Sequence, residues 1–208
     1  MKLLMFDMDG TLINSGYAIS NTVNYVRENL NLERLEKDYI LENINKPEIN
    51  SSEFFYGTTE FTPLQSKLFG DYYEKHCLND LVIYDGIKDL LENLKNDFTL
   101  SVATNANSIY AKKMLAHLGL DHYFDTVLGY NDVTQAKPHP EMLHKILDKH
   151  DILKENAQMI GDSHKDTLAA KNAGVDWVLV NWGFSNHKED AIDTVSQLEE
   201  KIQKKFML

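Results

Sequence analysis

The sequence predicts an α/β fold, a parallel sheet covered by helices on both faces and interrupted once by a helical insertion. Five short runs carry the sheet: Lys2–Phe6, Thr99–Ala103, Thr126–Leu128, Gln158–Ile160 and Trp177–Val180. They are apolar or β-branched without polar alternation, which suits strands buried on both faces. Helical stripes separate most of them, and alternating strand and helix implies parallel strands joined by right-handed crossovers. The third observation is a break in that rhythm, because residues 15–84 read as helices with no strand between them.

Taken in order, the first run ends at Asp7 and is followed by the insertion. Ile19, Val23, Val26 and Leu30 line one helix face, and Leu35, Tyr39 and Ile40 suggest a second helix. Thr62-Pro63-Leu64-Gln65 is a helix start: Thr62 caps, Pro63 fits the first turn and Gln65 closes a capping box. Leu64, Leu68 and Tyr72 are expected to form its buried stripe, and Phe54, Phe55, Tyr56 and Phe61 the core of the insertion. Asn14–Gly16 and Tyr84–Gly86 are expected as hinges, which divides the chain into a core of residues 1–14 and 85–208 and an insert of 15–84. Beyond it, Ile87, Leu90, Leu91 and Leu94 recur at helical spacing. Met114, Leu115 and Leu118 stop at Gly119; Leu143, Ile146 and Leu147 make another stripe; Leu168, Ala169 and Ala173 end at Gly174.

Composition narrows the function. The chain has 208 residues, 43% hydrophobic and 25% charged, with a net charge of −11. That balance suits a globular protein and argues against one that coats nucleic acid or anionic lipid. A single cysteine, Cys77, makes no internal disulfide and fits a reduced, cytoplasmic setting. The first apolar run is too short for a signal peptide or a membrane span. The expected partner is a small molecule, with the chain a monomer or homodimer.

In open parallel sheets, ligands bind beyond the carboxyl ends of the strands. The residues that follow the strands are Asp7, Asp9, Gly10 and Thr11, then Thr104 and Asn105, then Lys137-Pro138, then Gly161, Asp162, Ser163 and Asp166. Two carboxylates about 4 Å apart repel by roughly 4 kcal/mol at an effective dielectric near 20. Asp7, Asp9 and Asp162 therefore call for a hard divalent cation, and Mg²⁺ is the usual one beside phosphate. With Lys137 and a hydroxyl at the same edge, the set makes a site for a phosphate dianion. Ser163 with Asp166 also reads as a helix-capping pair, which suffices for Ser163 and leaves a further role open for Asp166.

Phe6-Asp7-Met8-Asp9-Gly10-Thr11-Leu12 resembles the first signature of the haloacid dehalogenase superfamily. Three more follow in order: Thr104 ending Val102-Ala103-Thr104-Asn105, Lys137 opening Lys137-Pro138-His139-Pro140, and Gly161-Asp162-Ser163 continuing to Asp166. The insert lies where that family carries a helical cap, and Asn181-Trp182-Gly183-Phe184 is similar to the phosphoglycolate phosphatase branch. The resemblance implies a Rossmann-like core and an aspartyl-phosphate mechanism. Asp7 would be the nucleophile and Asp9 the general acid, then base; Thr104, Asn105 and Lys137 would bind the phosphoryl group. Mg²⁺ would be held by Asp7, the Asp9 carbonyl and Asp162, with Asp166 behind them or orienting Lys137. The substrate would be a small phosphorylated metabolite. A phosphosugar mutase shares this core, and a phospho-aspartate signalling module uses similar groups. Ile44-Asn45-Lys46-Pro47-Glu48 is where leaving-group contacts are expected, with Lys46 able to pair with a carboxylate or phosphate or simply to face solvent.

Overall fold

A computed structural model of the chain describes residues 1–187 and 189–207. In chain order it runs β1 (Leu3–Phe6) and β2 (Ile13–Asn14), then the helices α1 (Gly16–Asn29), α2 (Lys37–Ile44), α3 (Ser51–Tyr56) and α4 (Pro63–His76). There follow β3 (Val82–Ile83), α5 (Ile87–Leu94), β4 (Thr99–Ala103), α6 (Ser108–His117), β5 (Thr126–Leu128) and α7 (Glu141–His150). The chain continues through β6 (Ala157–Gly161), α8 (His164–Ala173), β7 (Asp176–Val180), β8 (Ala191–Ile192) and α9 (Val195–Phe206).

The main sheet has the strand order β5-β4-β1-β6-β7-β8, and every pairing in it is parallel. Strand direction alternates side chains between faces, and β1 shows the result. Leu4 and Phe6 join α5, α6 and α9 in one core cluster, whereas Leu3 and Met5 join α7 and α8 in another. Burial on both faces is why these strands read as continuous apolar runs. The chain builds one side of β1 with β4 and β5, then crosses to build the other with β6, β7 and β8. β1 is therefore the switch point, where a crevice opens at the carboxyl ends of the strands.

Several elements carry no clear sequence signal, among them the short pair β2 and β3, and β3 places a strand inside the stretch 15–84 that reads as helices alone. β8 is a two-residue edge strand, and α9 starts at a capping box of Thr194 and Gln197. Two apolar stripes are also corrected. Leu64 on α4 is 54% exposed, and the buried positions of that helix are Gln65 and Tyr73, with Cys77 as the buried cap. Gln65 turns inward and its side chain accepts from the Thr62 amide at 2.8 Å, while Leu68 of the expected stripe does pack against the insert's own cluster. On α8, Leu168 faces outward, and Ala169, Ala170 and Ala173 pack instead, since small residues let the helix approach the sheet closely.

Between β2 and β3 lie four helices and no strand. Val23, Val26, Ile40, Phe55 and Tyr56 form a separate cluster there, while Ala18, Tyr73 and Cys77 belong to the main core. β2 and β3 pair antiparallel, so both connections to the sheet run side by side. Gly86 has φ of 81°, a conformation that suits glycine at a bend. Gly16 differs: it is buried at the start of α1, and a Cβ there would lie 2.7 Å from the Leu41 side chain.

Candidate active site

The residues that follow β1, β4 and β6 meet at the switch point. Asp7, Asp162 and Asp166 are buried, and each offers a carboxylate oxygen within 4.8 Å of the others. Lys137 is only 4% exposed, and its Nζ donates to Asp7 Oδ1 at 2.9 Å and to Asp166 Oδ1 at 2.5 Å. Burial works against its charge, but Asp166 and Asp7 outweigh burial and hold the ammonium well above its ordinary pKa. Asp7 goes the other way. Burial, with the charges of Asp166 and Asp9 added, pushes its carboxyl up to about 7 despite Lys137. Asp162 is also held well above the usual carboxylate range, first by burial and then by Asp7 and Asp166.

These acids are held from several directions. Asp166 Oδ2 accepts from the Ser163 amide at 3.1 Å, completing the capping box of α8, while its other oxygen holds Lys137. Capping and orienting are thus done by one carboxylate. Asp162 Oδ2 accepts from the Phe184 amide at 2.9 Å, and its carbonyl accepts from His187 Nε2 at 2.7 Å. The Trp182 indole donates to the Thr11 carbonyl at 3.0 Å. The segment 181–187 is therefore a strap that fixes Asp162 against the turn after β1. Glycines make the fit possible, for a Cβ on Gly10 would sit 2.4 Å from Asp162 Oδ2 and one on Gly183 2.2 Å from the Gly10 carbonyl. Gly10 also has φ of 85°.

Asp162 Oδ1 is buried without a hydrogen-bond partner. An orphaned anionic oxygen costs several kcal/mol unless a cation meets it. Three carboxylates converge here on one lysine. The donors are hard oxygens, so the residues present fit a divalent cation such as Mg²⁺. Asp7 and Asp162 have oxygens free for that purpose, whereas both oxygens of Asp166 are committed.

Asp9 is half-buried, and its Oδ1 accepts from the Ser15 hydroxyl. Burial raises its pKa, opposed by Ser15, Lys137 and Thr104. Its side chain lies apart from the three-carboxylate cluster. Thr104 is buried, sits beside Asp9 and accepts from the Ala106 amide at 3.0 Å. Asn105, expected on the phosphoryl group, brackets the Lys137 backbone with its side chain. Its Nδ2 donates to the Lys137 carbonyl at 2.9 Å, and its Oδ1 accepts from the Lys137 amide at 3.0 Å. Glu141 supports the same loop by accepting from the Thr134 and Gln135 amides at 2.9 and 3.0 Å. Lys46 reaches Asn43 Oδ1 at 3.0 Å and Glu42 Oε1 at 3.4 Å, within its own segment.

Sequence reasoning missed Ser15 and Glu141. Ser15 lies within the expected hinge, and no motif marks its hydroxyl. Glu141 is visible only as an acid in the first turn of α7.

The family model described as haloacid dehalogenase-like hydrolase matches residues 4–180. The chain is 31% identical over 199 residues to a phosphoglycolate phosphatase of Colwellia psychrerythraea, covering 91% of this chain and 88% of that protein. A phosphoglycolate phosphatase of Pasteurella multocida is 31% identical over 195 residues, covering 88% and 87%. A solved structure from Clostridium acetobutylicum, described as a predicted phosphatase, superposes with a TM-score of 0.88 at 25% identity and covers 98% of each chain.

Proposed function

The chain belongs to the haloacid dehalogenase-like hydrolase family and is a phosphoric monoester hydrolase of it, and we propose that it is Mg²⁺-dependent and acts through an aspartyl-phosphate on a small phosphorylated acid such as phosphoglycolate. One observation carries this reading: Lys137 bridges Asp7 and Asp166 beside Asp162, whose buried Oδ1 has no partner.

Asp7 is the nucleophile. Its Oδ1 is held by Lys137, and its other oxygen has no hydrogen-bond partner among the described residues. Attack on phosphorus forms the acyl-phosphate bond and breaks the bond to the leaving oxygen. The Asp9 carboxyl, kept protonated more readily by burial, gives its proton to that oxygen. The Asp9 carboxylate then takes a proton from water, which attacks phosphorus and frees Asp7 and phosphate. Lys137 neutralises charge on Asp7 and on the transferring oxygens. Asp7, the Asp9 carbonyl and Asp162 would hold Mg²⁺, which when bound would supply positive charge that favours the ionised form of Asp7 beside an anionic substrate.

Residues 15–84 act as a cap in this reading. Thr104, Asn105 and Lys137 bind the phosphoryl group in this reading, with the Asn105 side chain also positioning the lysine. The setting is a reduced, cytoplasmic one, consistent with a lone buried Cys77. No helix among the described residues is long and apolar enough to cross a membrane.

A phosphate-release screen across phosphoglycolate, sugar phosphates, nucleoside monophosphates and pyrophosphate tests the proposal. Release is expected with Mg²⁺, is removed by EDTA and is absent in Asp7→Asn. Release unaffected by EDTA, or full activity of Asp7→Asn, overturns it; an isomeric sugar phosphate in place of free phosphate identifies a mutase.

A further inference from the structure

Lys165 stands next to Asp166 in the first turn of α8 and has no part in the chemistry above. Its Nζ donates at 2.9 Å to the carbonyl oxygen of Ile44, the last residue of α2. For its own helix this lysine is badly placed. A cation in a first turn faces the positive end of the helix dipole, and burial removes its water. Burial indeed pulls its pKa down.

At the end of α2 the same charge is favourable. The last carbonyls of a helix lack intrahelical partners, and α2 has no basic residue in its final turn. The lysine is thus placed for the insert, against the preference of its own helix. The charges that bear on it come from both sides: Asp166, Lys137 and Asp7 in the core, and Glu48 just beyond α2.

The two flanks of the insert are seated differently. On the α4 flank, Tyr73 and Cys77 lie in the main core, and Lys113 donates to the Glu74 carbonyl at 3.1 Å. On the α2 flank there is a cavity of about 550 Å³ between Lys37, Leu41 and Glu42 on one side and Tyr84, Trp182 and Phe184 on the other. Among the described residues, the bond from Lys165 to Ile44 is the single hydrogen bond joining α2 to the core.

We propose that Lys165 is a positioning residue: it binds the C-terminal end of α2 and so fixes residues 44–48 beside the mouth of the site, setting how the insert meets the leaving part of the substrate. The inference rests on the phosphatase reading only for its kinetic arm.

Lys165→Met keeps the apolar stem and removes the donor. Amide hydrogen exchange across residues 37–48 is expected to quicken about tenfold in it while residues 63–76 stay unchanged, with protection returning in Lys165→Arg. With Mg²⁺ present, KM for phosphoglycolate is expected to rise about tenfold in Lys165→Met with kcat within about twofold, and to recover in Lys165→Arg. Unchanged exchange across 37–48, an equal rise throughout the chain, an unmoved KM, or an arginine variant that behaves like methionine overturns the proposal. Lys165→Gln carries the same expectation as Lys165→Met should the latter not fold; failure of both to fold assigns Lys165 to stability and overturns it too. The exchange arm needs no turnover. If the unaltered chain releases no phosphate yet residues 37–48 respond as expected, the phosphatase reading falls and the positioning role stands.

Discussion

The edge of the sheet and the helical insert are built to different tolerances. At the edge, Asp7, Thr104 and Asp162 each stand one residue beyond a strand whose register is fixed by parallel neighbours on both sides. A shift of one residue would turn Asp7 into the core. In the insert, helices pack through a small separate cluster, and the α2 flank rests over a cavity. The edge is therefore closely specified and electrostatically costly, while the insert is less closely seated on its α2 flank. Chemistry needs the first property, and substrate choice tolerates the second.

The largest effect should come from the edge. Asp7→Asn removes the attacking oxyanion with almost no change of shape, so turnover should fall roughly 10⁴-fold or more. The fold should survive, because Lys137 keeps Asp166 as its partner. Phosphate release measured beside a thermal melt checks both halves. Residual activity within tenfold of the original would move the nucleophile elsewhere.

A matching cut in the insert should cost stability instead. Phe55 is 2% exposed in the cluster of Val23, Val26, Ile40 and Tyr56. Phe55→Ala should cost about 3 kcal/mol, the loss of transfer energy plus a cavity. If the insert is the separable unit that its packing suggests, exchange should quicken in residues 16–56 before it does in β1 or β6. Simultaneous loss across the whole chain would erase the distinction between the two regions.

The clarity of the sequence follows the same divide. Asp7, Asp9, Thr104, Lys137 and Asp162 were legible because strand ends place them and because acids with no local reason to gather need a common cation. Ser15, Glu141 and Lys165 were not. Each acts through a contact that depends on how the chain folds back: Ser15 on Asp9, Glu141 on the loop before Lys137, Lys165 on α2. Asn105 was legible as a site residue, but the hold of its side-chain amide on the Lys137 backbone was not. Within the insert, helical periodicity marked α1, the start of α4 and the packed position of Leu68, but placed Leu64 on the buried face where it is exposed.

The electrostatic cost at the edge gives a pH signature. Burial raises the Asp7 carboxyl from 3.8 to about 7 in the protein without metal. A raised folded pKa means that the folded state binds the proton more tightly than the unfolded chain does. The associated stability is complete below about pH 4 and is lost as pH rises toward 7. Without metal, Tm should therefore fall over that window. Added Mg²⁺ should oppose the fall, because it binds the ionised form, and should stabilise by about 2.7 kcal/mol at a hundredfold excess over Kd. Asp162→Asn should lessen the fall of Tm with pH in EDTA, by removing a buried group whose ionisation is costly, and should abolish the Mg²⁺ effect. A Tm in EDTA that climbs between pH 4 and 7 would contradict the whole electrostatic picture.

The smallest effect tests the insert where the sequence misread it. Leu64 looks like a core residue by spacing, yet it is 54% exposed on α4. Tyr73, nine positions later, is buried in the main core against Met114 and Tyr110. At the capping box Gln65, not its neighbour Leu64, turns inward, and its side chain accepts from the Thr62 amide. Leu64→Ser should then change stability by no more than about 0.5 kcal/mol, as at other exposed positions. Chemical denaturation resolves such a difference. A loss of about 2 kcal/mol or more would mean that Leu64 is covered in solution and that the spacing read the helix face correctly, because exposed leucines do not carry that much burial energy.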